Sequence, residues 1–281
     1  MQVPQKYVSE ENERILPRFN NVVDKDFIMF QKWKISTTKS CILKSVCINN
    51  EECTLDGKCC DLCMYNLTLN LPHLPDMVFH KNSLVVEHEN GAKIVICPLE
   101  ALKKVRVEKP DMRVSCSDEW RESRPKDKTE EKLKPFDWSF TTDYQGTIND
   151  KFTTEKTDLK IDKFKLMVKE QILFYEDLSI FEDELHDNGT SVLSVKIRVM
   201  PSGFYILVRF FLRVDNVMIR MNDTRYHWET GKDYIIKEYT SREATYDKLK
   251  HVPPALFISP NEIADHLPVK ERTHEILKFQ P

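Results

Sequence analysis

The stretch Val192–Arg225, VLSVKIRVMPSGFYILVRFFLRVDNVMIRMNDTR, decides the fold. It holds three strand-like runs, Val192–Met200, Gly203–Val214 and Val217–Arg225, in which apolar and polar residues alternate. Pro201-Ser202 and Asp215-Asn216 join them as turns. Reading each joint as a two-residue hairpin sets Val199 opposite Phe204, Ile197 opposite Ile206, Val214 opposite Val217 and Leu212 opposite Ile219. One face then carries Val195, Ile197, Val199, Phe204, Ile206, Val208, Phe210, Leu212, Val214, Val217, Ile219 and Met221, and is apolar throughout. That face belongs in a core. The other carries Lys196, Arg198, Tyr205, Leu207, Arg209, Phe211, Arg213, Met218, Arg220 and Asn222. Cations side by side on neighbouring strands repel, so this second face calls for acidic cover or an acidic partner. The sequence thus predicts a single-domain α+β protein on a largely antiparallel central sheet flanked by helices.

Outward from the meander, DKFKLMVKEQILFY (Asp162–Tyr175) spaces Phe164, Met167, Val168, Gln171, Ile172 and Tyr175 as one face of a helix capped by Asp162. Pro260–Leu267 and Val269–Phe279 read as two short helices parted by Pro268. Residues 1–29 read as a loose arm ahead of a domain spanning 30–281. Arg121–Lys134, RESRPKDKTEEKLK, alternates charge sign and reads as a solvated loop. In 281 residues a net charge of −3 gives no bulk attraction to nucleic acid or anionic lipid. The N-terminus has no signal-peptide pattern, and no apolar run is long enough to span a bilayer. The expectation is a soluble protein of the cytosol with no nucleic-acid or membrane partner.

Two clusters could carry chemistry. Phe181–Asp187 (FEDELHD) holds four carboxylates and His186. On a strand, Asp183 and Asp187 would point one way and Glu184 and His186 the other, so the cluster does not close as one site. No phosphate-binding glycine loop, His-Glu-X-X-His or Gly-X-Ser-X-Gly occurs. The reading is therefore not an enzyme. A metal-dependent hydrolase on Asp183–Asp187 is the first alternative. The second is a nucleic-acid-binding sheet that stacks bases on Tyr205 and Phe211. In the other cluster, six cysteines fall between Cys41 and Cys63. Cys53, Cys59, Cys60 and Cys63 offer the soft ligands zinc prefers, with Cys47 upstream, but a second Cys-X-X-Cys pair is missing. No metal site and no cofactor are assigned.

The strings FEDELHDNG, SVKIRVMPS, RFFLRVD and IRMNDTR, with PFDWSFTTDYQGT (Pro135–Thr147), EYTSRE (Glu238–Glu243) and HVPPALF (His251–Phe257), resemble the TOR signalling pathway regulator family, the Tap-interacting TIPRL-type proteins. The resemblance runs from about Phe30 to the end. The arm and the cysteine-rich stretch, an insertion at about 45–70, fall outside its pattern. It implies a single α+β domain around a cleft. It also implies a non-enzymatic regulator that binds and inhibits the catalytic subunits of type 2A, 4 and 6 protein phosphatases, receiving their C-terminal tail. The Tap/alpha-four regulatory protein is a further implied partner. By motif match the binding residues include Ile161, Met221 and Asp223, with Arg225 added. Glu100 stands where the pattern has an aspartate. Arg198 and Arg220 enter from the cationic face. Met221 is expected at the sheet's edge, an apolar anchor on a polar rim.

Overall fold

A computed structural model describes residues 23–47, 53, 59–105 and 140–280. The charged loop at 121–134 and most of the arm lie outside the described residues. Two antiparallel sheets stack face to face. The smaller has five strands in the order β1(Asp24–Phe30), β2(Trp33–Lys39), β4(Ser83–His88), β5(Lys93–Ile96) and β6(Thr147–Ile148). The larger has eight, ordered β3(Met77–Val78), β8(Phe174–Asp183), β9(Gly189–Met200), β10(Gly203–Val214), β11(Met218–Glu229), β12(Tyr234–Thr245), β13(Val269–Phe279) and β7(Phe152–Lys156). Because β1 pairs with β2 from Asp24 onward, the first strand begins inside the stretch assigned to the arm. The antiparallel α+β prediction holds, but the main cover of the meander is a second sheet, where helices were expected.

The inner faces alternate as half-buried strands must. β4 and β5 bury every second residue, Leu84, Val86, Ile94 and Ile96 among them. They meet Val195, Ile197, Phe204, Ile206, Val208, Phe210 and Leu212 in one continuous core. Trp33 fastens the layers: its ring lies edge-on to Phe204 at 5.1 Å and to Trp228 at 5.6 Å. Each such aromatic contributes about 2–3 kcal/mol through burial. Gly203 opens β10 at φ +150°, where a Cβ would sit 2.0 Å from the Trp228 carbonyl oxygen. Only glycine lets β11 pair that closely.

The β9–β10 hairpin has the predicted register, with Val199 opposite Phe204 and Ile197 opposite Ile206. The next hairpin does not. Asp215-Asn216-Val217 forms a three-residue turn with Asn216 at φ +62°, and the closing pair is Val214–Met218. The extra residue shifts β11 by one, so Phe211 faces Met221, Arg209 faces Asp223 and Leu212 faces Arg220. Every side chain of β11 therefore changes sides relative to the prediction. Ile219 and Met221 leave the inner core, and Arg220 and Asn222 turn inward.

This inversion creates a second core on the outer face. Phe211, Ile219, Met221 and Ala244 are buried beneath Leu249, Val252, Phe257, Ile263 and Leu267. The covering residues come from a run of single turns, Tyr246–Leu249, Pro254–Ile258 and the helix Pro260–Ile263. Met221 thus sits in an interior strand of the eight, under a cap, and not at a rim. Val269–Phe279, predicted helical, is β13, held between β12 and β7. The helix predicted for Asp162–Tyr175 shrinks to Lys163–Met167. Asp162 does cap it, accepting from the N–H groups of Phe164 (2.9 Å) and Lys165 (3.3 Å). Beyond it the chain must straighten, because Leu173 N–H already bonds the Val199 carbonyl beside β9.

Met221→Ala is expected to cost about 2–5 kcal/mol in chemical denaturation, the range for emptying a packed core site. Met167→Ala, at an exposed position, should stay within about 0.5 kcal/mol. A near-neutral Met221→Ala would contradict the second core.

Candidate functional site: a guanidinium-lined trough

The outer face of the large sheet is crossed at two levels, set by which residues share a row. Residues 159–173 run over the row of Arg198, Tyr205 and His227. This strap is tied at Ile161 N–H to Glu238 Oε1 (2.7 Å), at Leu166 O by Arg198 Nη2 (3.0 Å), and by Lys165 to Glu229 (2.7 Å). The cap covers the row of Phe211 and Met221. Six residues of β10 separate Tyr205 from Phe211, which is roughly 20 Å of strand. Between strap and cap lie two rows, Leu207, Arg225, Glu238 and His274, then Arg209, Asp223, Thr240 and Arg272; Asp223 and Thr240 are buried, whereas Arg272 is exposed.

The trough floor is organised by one carboxylate. Asp223 has no exposed side-chain surface. Arg209 grips it with both arms, Nε to Oδ1 at 2.7 Å and Nη2 to Oδ2 at 2.9 Å, and Arg225 Nη2 reaches Oδ2 at 2.5 Å. Burial pulls the Arg209 pKa down, but the hydrogen bond and charge of Asp223 outweigh it and leave it raised. Arg209 Nη1 also donates to Asn261 Oδ1 of the cap at 2.6 Å. Arg242, on the Met221 row, is different. Its pKa is lowered, first by burial and then by the neighbouring Arg225 and Arg272, against a pull from Asp223. Its Nη1 is buried and has no hydrogen-bond partner. Four guanidiniums, Arg209, Arg225, Arg242 and Arg272, thus gather around the buried carboxylate of Asp223, and Asp265 also acts on Arg242.

Beside it the strap is unusually apolar toward solvent. Phe164 is 84 % exposed and Met167 76 %, followed by Val168 and Ile172, and by Tyr175 at the start of β8, each above half. The residues predicted as the buried side of a helix form an open apolar ledge.

The predicted binding residues disperse. Ile161, Asp223, Arg225 and Arg198 come together around the trough and strap. Ile161 and Asp223 are buried, so they shape the site from below. Met221 lies under the cap. Arg220 is on the inner side, bound to Glu243 Oε2 (2.7 Å) at a cavity of about 240 Å³ shared with Asn222 and Thr142. Glu100 is on the short helix Pro98–Leu102 and pairs with Lys103 at 2.7 Å. Arg242 and Arg272 were not singled out from sequence. The period of two along Glu238, Thr240 and Arg242 is the signal that could have found Arg242 once β12 was recognised. Phe211 is under the cap and Tyr205 beneath the strap, so neither is presented for base stacking.

A profile of the TIP41-like family matches residues 77–250. The chain belongs to the TIP41-like family. The human TIP41-like protein is 45% identical over 254 residues, covering 89% of this chain and 88% of its own length. The Saccharomyces cerevisiae protein named type 2A phosphatase activator TIP41 is 33% identical over 283 residues, covering 91% and 76%. The protein of the same description in Schizosaccharomyces pombe is 33% identical over 265 residues, covering 90% and 98%. The TIP41-like match holds β8 to β12, the strap and the short-turn segment Tyr246–Leu249 that begins the cap.

It also holds the acidic segment. Glu184–Asn188 is a loop, where the sequence suggested a strand, with Leu185, His186 and Asp187 all at positive φ. Asp183 is buried and its oxygens accept from Leu185 N–H (2.8 Å) and Asp76 N–H (3.1 Å), while Asp76 accepts from Glu184 N–H (3.0 Å). This reciprocal clasp joins β8 to the chain just before β3. Its hydrogen bonds are those of a structural tie, and among the described residues the acidic cluster forms no group spaced to hold a metal. Burial, then the nearby Asp76 charge, raises the Asp183 carboxyl from 3.8 to about 7. The folded state thus holds this proton more tightly than the unfolded one. The stability it contributes is complete below pH 3.8 and is lost as pH rises through about 7. Between pH 5 and pH 8 the wild type should therefore lose on the order of 1–3 kcal/mol relative to Asp183→Asn in denaturant titrations. Parallel pH profiles for the two proteins would contradict the assignment.

Proposed function

We propose that this chain is a non-catalytic regulator that binds the catalytic subunit of type 2A-group protein phosphatases, types 2A, 4 and 6. The trough receives the subunit's C-terminal tail, and the apolar ledge of the strap takes the adjoining surface. The observation that carries the reading is the cluster of four guanidiniums, in which the Arg242 Nη1 has no hydrogen-bond partner, beside an exposed apolar strip. A carboxylate-ended, partly apolar peptide meets both demands, since guanidinium binds carboxylate bidentately and the ledge supplies the buried area. The yeast relatives' names support the phosphatase class.

In this reading Asp223 holds Arg209 and Arg225 in place before the tail arrives, Ile161 pins the strap and Met221 seats the cap. Pre-arranged cations lose less freedom on binding. The resemblance implies inhibition, whereas the two yeast relatives are named activators. Binding of the catalytic subunit is the act common to both effects. Action within TOR signalling in the cytosol, and contact with the Tap/alpha-four protein, belong to the same proposal. Among the described residues no helix is long and apolar enough to cross a membrane.

Removing Asp223 itself would strand two guanidiniums and confuse folding with binding. Arg272→Glu and Phe164→Ser change exposed side chains and avoid that. Each is expected to weaken binding of a purified phosphatase catalytic subunit at least about tenfold, the effect of 1.4 kcal/mol, with an unchanged melting temperature. Lys250→Glu, at an exposed position, should bind as wild type. Wild-type affinity in both Arg272→Glu and Phe164→Ser would overturn the docking site.

A further inference from the structure

The cysteine-rich stretch lies outside the family match and outside the trough, and it carries an independent observation. The sulfur atoms of Cys47, Cys53, Cys60 and Cys63 all lie within 4.8 Å of one another. Cys47 Sγ is 3.6 Å from Cys53 Sγ and 3.7 Å from Cys60 Sγ. A disulfide holds its sulfurs about 2.05 Å apart, so these are not bonded pairs. A tetrahedral zinc ion with Zn–S bonds of about 2.3 Å sets its sulfurs about 3.8 Å apart. These two spacings match the tetrahedron's edge, and the remaining pairs stay within 4.8 Å.

We infer that these four cysteines form a structural zinc site, ligated by four thiolates. Three features beyond the spacing fit it. The backbone N–H of Cys60 points to Cys53 Sγ (3.4 Å) and that of Cys63 to Cys60 Sγ (3.5 Å). Such donors neutralise part of the charge that thiolates carry and orient them toward the metal. Cys60 is also the N-cap of the helix Asp61–Thr68, so it and Cys63 sit at the positive end of that helix. Finally, Cys47 and Cys53 precede Cys60 by 13 and 7 residues, yet their sulfurs lie against the Cys60-X-X-Cys63 turn.

Cys59 stands next to the group but outside it. Its thiol donates to the Cys60 carbonyl oxygen at 3.5 Å. The sequence candidates are therefore corrected by one member, Cys47 replacing Cys59. With four protein ligands no position is open for water or substrate, so the site is structural. Its mechanical role is to tie Cys47 and Cys53 to the start of the helix, whose Tyr65 is buried in the main core and donates to the His80 carbonyl oxygen at 2.9 Å. Asp61 in the same turn pairs with His80 at 3.0 Å. Zinc would thus staple residues ahead of the family match at 77–250 onto the sandwich.

The test is metal analysis of the full chain purified under reducing conditions. The expected result is about one zinc per chain by elemental mass spectrometry, retained in Cys59→Ser and lost in Cys60→Ser/Cys63→Ser. Should the double variant fail to fold, cobalt exchanged into the wild type gives a second reading: an intense visible spectrum with sulfur-to-cobalt charge transfer marks tetrahedral tetrathiolate ligation. Metal-free wild type, whether its cysteines alkylate as thiols or appear by mass as disulfides, would overturn the site. So would iron in place of zinc, or equal zinc loss in Cys59→Ser.

Discussion

A carboxylate with no exposure to water, Asp223, is clasped by Arg209 and Arg225 on the face of a central strand. A charge so placed survives only with excellent partners, and the partners are supplied by register alone. Arg209 stands directly across from Asp223 in the β10–β11 ladder. Had β11 been shifted by one residue, Arg209 would face Asn222, and Asp223 would point into the apolar space between the sheets. The three-residue turn at Asp215–Val217 is therefore more than a connection. It decides which side of the sheet carries charge, and with it where the second core and the trough can exist.

The consequence runs outward from that turn. Turning Ile219 and Met221 to the outer face creates an apolar area that must be covered, and the single turns of 246–267 cover it. The cap in turn supplies Asn261 to Arg209 and walls one side of the trough. On the other side the strap is held by polar ties to Glu238, Arg198 and Glu229, leaving its apolar side chains outward. Burial on one wall and exposure on the other give the trough its mixed chemistry.

Much of this was legible in sequence, and the failures have physical causes. Alternation in Val192–Val214 gave β9 and β10 their correct sides, because Pro201-Ser202-Gly203 admits one tight turn. β11 has apolar residues at both parities, Met218, Ile219 and Met221, so its own pattern could not choose a side, and the count of turn residues chose wrongly. A strand buried on both faces loses the period that identifies it. The 162–175 segment shows helical spacing yet lies flat as a strap, because tertiary pairing at Leu173 overrides a short local preference. Lys270, Arg272 and His274 alternate with Glu271, Thr273 and Glu275 in β13, a strand whose polarity hides it. The cysteine group was visible as residues but not as a site. The approach of the Cys47 sulfur to that of Cys60, 3.7 Å, is not revealed by spacing.

The account rests on Arg209 and Asp223 being direct cross-strand partners, and a double-mutant cycle on that pair tests it. Arg209→Leu, Asp223→Leu and the combined variant would be compared by equilibrium unfolding. Partners in contact should show non-additivity of at least about 1 kcal/mol, the double variant being less damaged than the sum of the singles. Costs that add to within about 0.5 kcal/mol would mean that the two side chains do not meet, and would contradict the register on which the trough depends.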